Sequence, residues 1–150
     1  MIPSRSEIIE EVSNELNERE ERIRSSLKEL QNSLTKETKS TAGDKHETGR
    51  AMTHLEQEKL SEQLSTVKNL KAGLSQVQQE VSLDKIVFGS IVVTTNQVFF
   101  ISIGLGLIKI AEADIFCVSG SAPLSIALIG GQKGDVITFN GRSYDIQTIQ

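Results

Sequence analysis

Two long runs of apolar residues at helical spacing occupy the first half of the chain and constrain its fold more than any other feature. Most steps between neighbouring apolar residues are three, four or seven positions, which is the spacing of a coiled-coil seam. The first run is Ile9, Val12, Leu16, Ile23, Leu27, Leu30 and Leu34. The second run is Met52, Leu55, Leu60, Leu64, Val67, Leu70, Leu74, Val77 and Val81. An exposed seam does not stabilise an isolated helix, so the two runs are predicted to pack together.

The segment "STAGDKHETGRAM" separates the two runs and contains two glycines. Arms of similar length joined by a short bend of this kind pair antiparallel. We therefore predict helices over residues 6–39 and 50–80, with the bend at about 41–48. Ser4 and Glu7 have the spacing of a capping box, which predicts the start of the first helix.

Composition changes sharply halfway along the chain. Residues 1–80 hold 12 of the 16 Lys and Arg and 15 of the 20 Asp and Glu but no aromatic residue, whereas all five Phe and the single Tyr follow. The first part is typical of solvated helices and the second of a compact β-rich core. We place the boundary at about 81–85, which gives a coiled-coil hairpin over 1–81 and a second domain over 82–150.

The second domain contains six short segments rich in β-branched and aromatic residues, separated by Gly, Asn, Asp and Ser, and each predicts a strand. Between them, Pro123 is suited to open a short helix that Gly130 and Gly131 end. Strands with one short helix predict an α+β domain, a twisted antiparallel sheet with a helix on one face. The "GLG" at 104–106 lacks the third Gly and the following helix of a nucleotide loop, so it predicts a hairpin turn.

Charge and cysteine content exclude several classes. The net charge of −4 does not favour nucleic acid as a direct partner. A lone Cys117 excludes an intrachain disulfide and fits a reducing cytoplasm, and its apolar neighbours indicate a buried side chain. The acidic N-terminus is not a signal peptide, and no apolar stretch is long enough for a membrane helix.

Two carboxylates, Asp44 and Glu47, lie three residues apart in the bend. This is the spacing of a capping box for the second helix, with Asp44 as N-cap and Gly43 ending the first helix in the left-handed conformation. A purely structural role and a metal-binding or active-site role are both compatible with the spacing.

Several segments resemble the GreA and GreB transcript-cleavage factors, and the resemblance covers nearly the whole chain. In the second domain they are "VFGS" at 87–90, "EAD" at 112–114, "PLSIALIGGQKGDVITF" at 123–139 and "YDIQTI" at 144–149. In the first, "AGDKHETGRAM" falls at the acidic tip of the family's coiled coil. The resemblance implies an antiparallel coiled-coil hairpin followed by a small FKBP-like domain.

The resemblance also implies a function: a transcription elongation factor that binds bacterial RNA polymerase through Ser121, Ala122, Pro123 and Leu124. The coil is then expected to enter the secondary channel, where Asp44 and Glu47 help to hold Mg²⁺ shared with the polymerase and stimulate cleavage in backtracked complexes. The chain itself would not be an enzyme, would bind no cofactor tightly and would reach the nascent RNA 3′ end only indirectly. A cytoplasmic monomer or weak dimer without membrane contact is expected.

The tip departs from the family pattern, in which neutral residues separate the acids. Here Lys45 and His46 lie between Asp44 and Glu47, and Arg50 follows. The two cations offset the acidic charge, and His46 is either an extra ligand or a solvated loop residue. An alternative is therefore a regulator that occupies the channel without stimulating cleavage, and a more distant one is an FKBP-like peptidyl-prolyl isomerase.

Overall fold

Two long helices precede a six-stranded sheet and one short helix, which confirms the predicted α+β class. The computed structural model describes residues 2–37 and 44–150, and for 37 and 44–48 it describes the backbone only. The helices are α1 (Arg5–Glu37), α2 (Asp44–Leu74) and α3 (Pro123–Leu128). The strands are β1 (Ile91–Thr94), β2 (Val98–Ser102), β3 (Gly106–Ile110), β4 (Ala113–Ser119), β5 (Val136–Phe139) and β6 (Arg142–Ile149).

The start of α1 is as predicted. The Glu7 backbone N–H donates to Ser4 Oγ at 3.3 Å, and the Ile8 N–H donates to the Ser4 carbonyl at 3.0 Å. Ser4 therefore caps α1: its Oγ satisfies the Glu7 N–H, which has no acceptor within the helix, and its carbonyl accepts the first helical hydrogen bond.

The chain folds into two compact units, Glu15–Asn69 and a second unit formed by Met1–Asn14 with Leu70–Gln150. The second unit thus combines both ends of the helical arms with the sheet. The predicted division into domains 1–81 and 82–150 stays a prediction.

The unit Glu15–Asn69 is an antiparallel helix pair. Among the residues with described side chains, its buried apolar members are Leu16, Leu34, Leu60 and Val67. Gln57 Nε2 donates to Gln31 Oε1 at 3.5 Å. The link 38–43 spans at most about 25 Å, whereas α2 is about 45 Å long. A parallel arrangement is therefore out of reach.

For two residues, the prediction that they belong to the buried seam was wrong. Met52 and Leu55 are 67% and 66% exposed, and the half-buried positions in this part of α2 are Thr53 and Gln57. Leu55 lies five positions before the buried Leu60, which is about 140° around an α-helix. Thr53 and Gln57 continue the heptad spacing that leads to Leu60.

The limits of α2 also differ from the prediction: it begins at Asp44 instead of residue 50 and ends at Leu74 instead of 80. At its end, Ser75 Oγ donates to the Ala72 carbonyl at 2.6 Å. Beyond this end, the carbonyls of Gln78 and Gln79 accept hydrogen bonds from the Arg5 side chain, 73 or more residues away. These long-range bonds outweigh the local apolar spacing that predicted a longer helix.

The sheet order is β3-β4-β2-β1-β6-β5. All neighbouring pairs are antiparallel except β2 with β4, which is parallel, so the sheet is mixed where an antiparallel one was predicted. The chain passes over the position of β4 to reach β3, so the predicted hairpin turn at 104–106 is wrong. The burial pattern explains the order, since β2 is buried on both faces whereas β3 exposes Leu107 and Lys109 and suits an edge.

One face of the sheet carries the hydrophobic core that α3 covers. The buried members are Ile86, Val92, Phe99, Ile101, Val118, Leu128, Tyr144, Ile146 and Ile149. The rings of Phe99 and Tyr144 meet edge to face at 5.6 Å. On the other face Cys117 is 1% exposed, and burial raises the pKa of its thiol to about 12, which confirms the predicted buried cysteine.

Two hairpins close with two-residue turns in which both central residues have positive φ, the type I′ geometry. The β5–β6 turn uses Asn140 and Gly141, with φ of 50° and 75°. The β3–β4 turn uses Ala111 and Glu112, with φ of 47° and 71°. Ala and Glu are disfavoured in this conformation because their Cβ crowds the backbone. None of the described helices has the length and apolar content needed to cross a bilayer.

Candidate functional site

The tip residues Asp44 and Glu47 lie in the first turn of α2 instead of in a bend. Residues three apart on a helix share one side of it, so the backbone brings these two positions together. The side chains of Asp44, Lys45, His46 and Glu47 lie outside the part of the chain that the structure describes, as does the predicted Gly43 cap. Arg50, one turn further along, is half-buried.

This spacing is compatible with a magnesium site. Mg²⁺ prefers one or two carboxylates and keeps several waters, and a helical i,i+3 pair offers two. Among the residues whose side chains are described, no group of three or more His, Cys, Asp or Glu side chains is placed to hold a metal ion.

The predicted docking residues lie in and after the turn that connects β4 to α3. Ser119 organises this turn: its Oγ is 2.9 Å from Ser121 Oγ, and its carbonyl accepts from the Ala122 N–H at 3.0 Å and from Ser125 Oγ at 2.6 Å. The result is a turn that is fixed by side chains and that keeps Ser121 at the surface.

Pro123 and Leu124 have the structural roles that the sequence allowed. Pro123 opens α3, where its missing N–H is no loss, and it is exposed. Leu124 packs against the core cluster. Ser121 and Pro123 are therefore exposed, whereas Ala122 and Leu124 are half-buried.

Sequence reasoning missed the contacts of Arg5. Its Nε donates to the Gly89 carbonyl at 3.0 Å, and its two terminal nitrogens donate to the carbonyls of Gln79 and Gln78. Burial lowers the pKa of the guanidinium. Gly89 has φ of 93°, and a Cβ there would lie 3.3 Å from Arg5 Nη2. No periodicity in the sequence marks these partners, because they are carbonyls far along the chain.

The aromatic residues bear on the isomerase alternative. Phe99, Phe100 and Tyr144 are 1%, 0% and 6% exposed, whereas Phe88 and Phe116 are 38% and 36% exposed. An isomerase cleft needs several aromatic walls around an apolar space. Three of these five aromatic side chains are instead buried in the core.

Comparisons with known proteins identify no family. No protein-family model matches the chain, and no curated protein matches it. Among solved structures, the chain is similar to GreA factor homolog 1 (Gfh1) of Thermus thermophilus, with 20% identity over 92% of this chain and 94% of that one and a TM-score of 0.38. A likeness at that TM-score does not assign a function.

Proposed function

We propose that this chain is a Gre-type factor that binds bacterial RNA polymerase through residues 121–124 and presents Asp44 and Glu47 to the polymerase's active centre. The observation that carries the proposal is the sequence resemblance of residues 123–139. The surface exposure of Ser121, which precedes that segment, and of Pro123, which begins it, supports the proposal.

The chemistry proposed for the tip needs little from the chain itself. A shared Mg²⁺, when bound, supplies a polarised water for phosphodiester hydrolysis. Asp44 and Glu47 contribute two carboxylates one helical turn apart, which suits one hard cation. Lys45, between them, and Arg50 reduce the negative charge and so lower the affinity for that cation.

The second candidate is a regulator that occupies the channel without promoting cleavage. Lys45 and Arg50 favour it, because two cations beside two carboxylates leave the tip without the excess negative charge that a metal-delivering tip needs. In this case the cations, not the carboxylates, would meet RNA or nucleotide phosphates.

Binding of the purified full-length chain to core polymerase tests both candidates against the remaining classes. Saturable binding that Pro123→Asp weakens about tenfold or more is the expected result, since a charge would have to be desolvated in the interface. A chain that does not bind core polymerase is not a Gre-type factor of either kind.

A further inference from the structure

Residues 75–90 connect α2 to β1 without any helix or strand. Connections of this length are uncommon in compact domains and are usually either functional or disordered. Here the end of the connection is fixed: the Val87 N–H donates to Ser90 Oγ at 2.9 Å, and the Gly89 N–H donates to the Ile101 carbonyl at 2.7 Å. An ordered connection of this length therefore calls for a role beyond joining two elements.

A surface groove of about 610 Å³ runs along this connection, and its walls include Glu80, Val81 and Phe88. The backbone beside Glu80 is held in place, because the Arg5 guanidinium binds the carbonyls of Gln78 and Gln79. Hydrogen bonds thus hold the backbone on one side of the groove.

Phe88 supplies an aromatic wall to this groove. The ring lies against Gly120, where an added Cβ would be 2.9 Å from Phe88 Cδ2, and 38% of the residue remains exposed. Only glycine at position 120 leaves room for the Phe88 ring in this position. The exposed part of the ring is available to a ligand.

Among the described residues that line the groove, Glu80 supplies the only charged side chain. It is exposed and has no ion-pair partner among the residues whose side chains are described. A groove lined by a carboxylate and an aromatic ring suits an arginine side chain. Its planar guanidinium stacks on aromatic rings and forms two parallel hydrogen bonds to a carboxylate.

The groove adjoins the proposed docking turn, because Gly120, which seats Phe88, directly precedes Ser121. We propose that this groove is a second contact region for the same protein partner and that it takes an arginine side chain, with Phe88 as the stacking surface and Glu80 as the counter-ion. This inference rests on the proposed function, since it extends the surface through which polymerase would bind.

Affinity for core polymerase, measured with full-length protein at low and high salt, tests the groove. Glu80→Gln is expected to weaken binding about threefold and Glu80→Lys about tenfold, as for a partly exposed charge pair. Both losses should shrink at high salt because exposed charges are screened. Phe88→Leu keeps an apolar side chain but removes the ring and is expected to cost about threefold.

Glu112→Lys is the matched control, since it makes the same change of charge at an exposed residue of the β3–β4 turn. It should bind like the wild type, and circular dichroism melting should show all variants folded. If wild type binds but Glu80→Lys and Phe88→Leu bind equally well, or if Glu112→Lys loses as much as Glu80→Lys, the groove inference is wrong and the proposed function stands. If wild type does not bind, the proposed function fails and the groove inference with it.

Discussion

The Arg5 guanidinium donates from Nε to the Gly89 carbonyl at 3.0 Å, which joins the first turn of α1 to the approach of β1. The same side chain binds the carbonyls of Gln78 and Gln79. One side chain therefore holds the connection 75–90 at two places. It also supplies hydrogen bonds to carbonyls that no helix or strand satisfies.

Replacing Arg5 is expected to destabilise the protein by about 2 kcal/mol, because hydrogen bonds from a charged donor contribute more than neutral ones. Arg5→Lys should recover only part of the loss, since an ammonium lacks the fork that reaches three carbonyls. Urea unfolding measures both. Arg24→Ala, which removes an exposed i,i+4 pair with Glu20, should cost about 0.5 kcal/mol or less; equal losses for Arg5 and Arg24 would contradict the assigned role.

Two buried serines, one in β2 and one in α3, should respond differently to alanine. Ser102 Oγ is buried without a hydrogen-bond partner in the described structure, whereas Ser125 Oγ donates to the Ser119 carbonyl at 2.6 Å. Ser102→Ala is expected to be neutral or to stabilise by about 1 kcal/mol, since it removes an unpaired polar group. Ser125→Ala should destabilise by about 1 kcal/mol. A marked loss for Ser102→Ala in chemical denaturation would show that its hydroxyl has a partner.

The β3–β4 turn is expected to be improvable. Ala111→Asn with Glu112→Gly gives it the residues that the β5–β6 turn already has, and should raise stability by about 1–2 kcal/mol by relieving positive φ at Ala and Glu. The reverse change, Asn140→Ala with Gly141→Glu, should lower it by a similar amount. Thermal unfolding distinguishes the pair, and no gain from the first change would mean that the turn is not strained.

The two glycines inside α2 differ in the space around them. A Cβ at Gly49 would meet no atom within 4 Å, whereas one at Gly73 would lie 2.9 Å from Ile103 Cγ2. Gly49→Ala should therefore stabilise the helix by up to about 1 kcal/mol, and Gly73→Ala should destabilise the protein by about 1–3 kcal/mol through overpacking. A loss of stability in Gly49→Ala would contradict the open space around position 49.

The sequence predicted those elements whose signals are local. Ser4 with Glu7 marked the start of α1, Pro123 marked α3, and all six strands occur near the segments that predicted them. The parallel β2–β4 pair was not predictable from local pattern, because strand order depends on which strands are buried on both faces. The end of α2 was missed for a similar reason, as the carbonyls beyond it are bound by a distant arginine.

The candidate site shows the same division. Spacing placed Asp44 and Glu47 together, and the helical backbone from Asp44 agrees with that. The groove with Phe88 left no pattern in the sequence, because it depends on Gly120, 32 positions away, to seat the ring.

Transcript cleavage in a backtracked elongation complex tests the central claim most directly. With purified polymerase and Mg²⁺, wild-type protein should accelerate cleavage, and Asp44→Ala or Glu47→Ala should abolish the acceleration while affinity for polymerase stays within a few fold, because metal ligands act in the transition state. Lys45→Leu with His46→Ser should raise the rate by removing charge between the two acids. Loss of an acidic side chain from the first turn of a helix costs only about 1 kcal/mol, so circular dichroism should show both alanine variants folded. If wild type and both alanine variants cleave no faster than polymerase alone, Asp44 and Glu47 do not act on the polymerase's active centre.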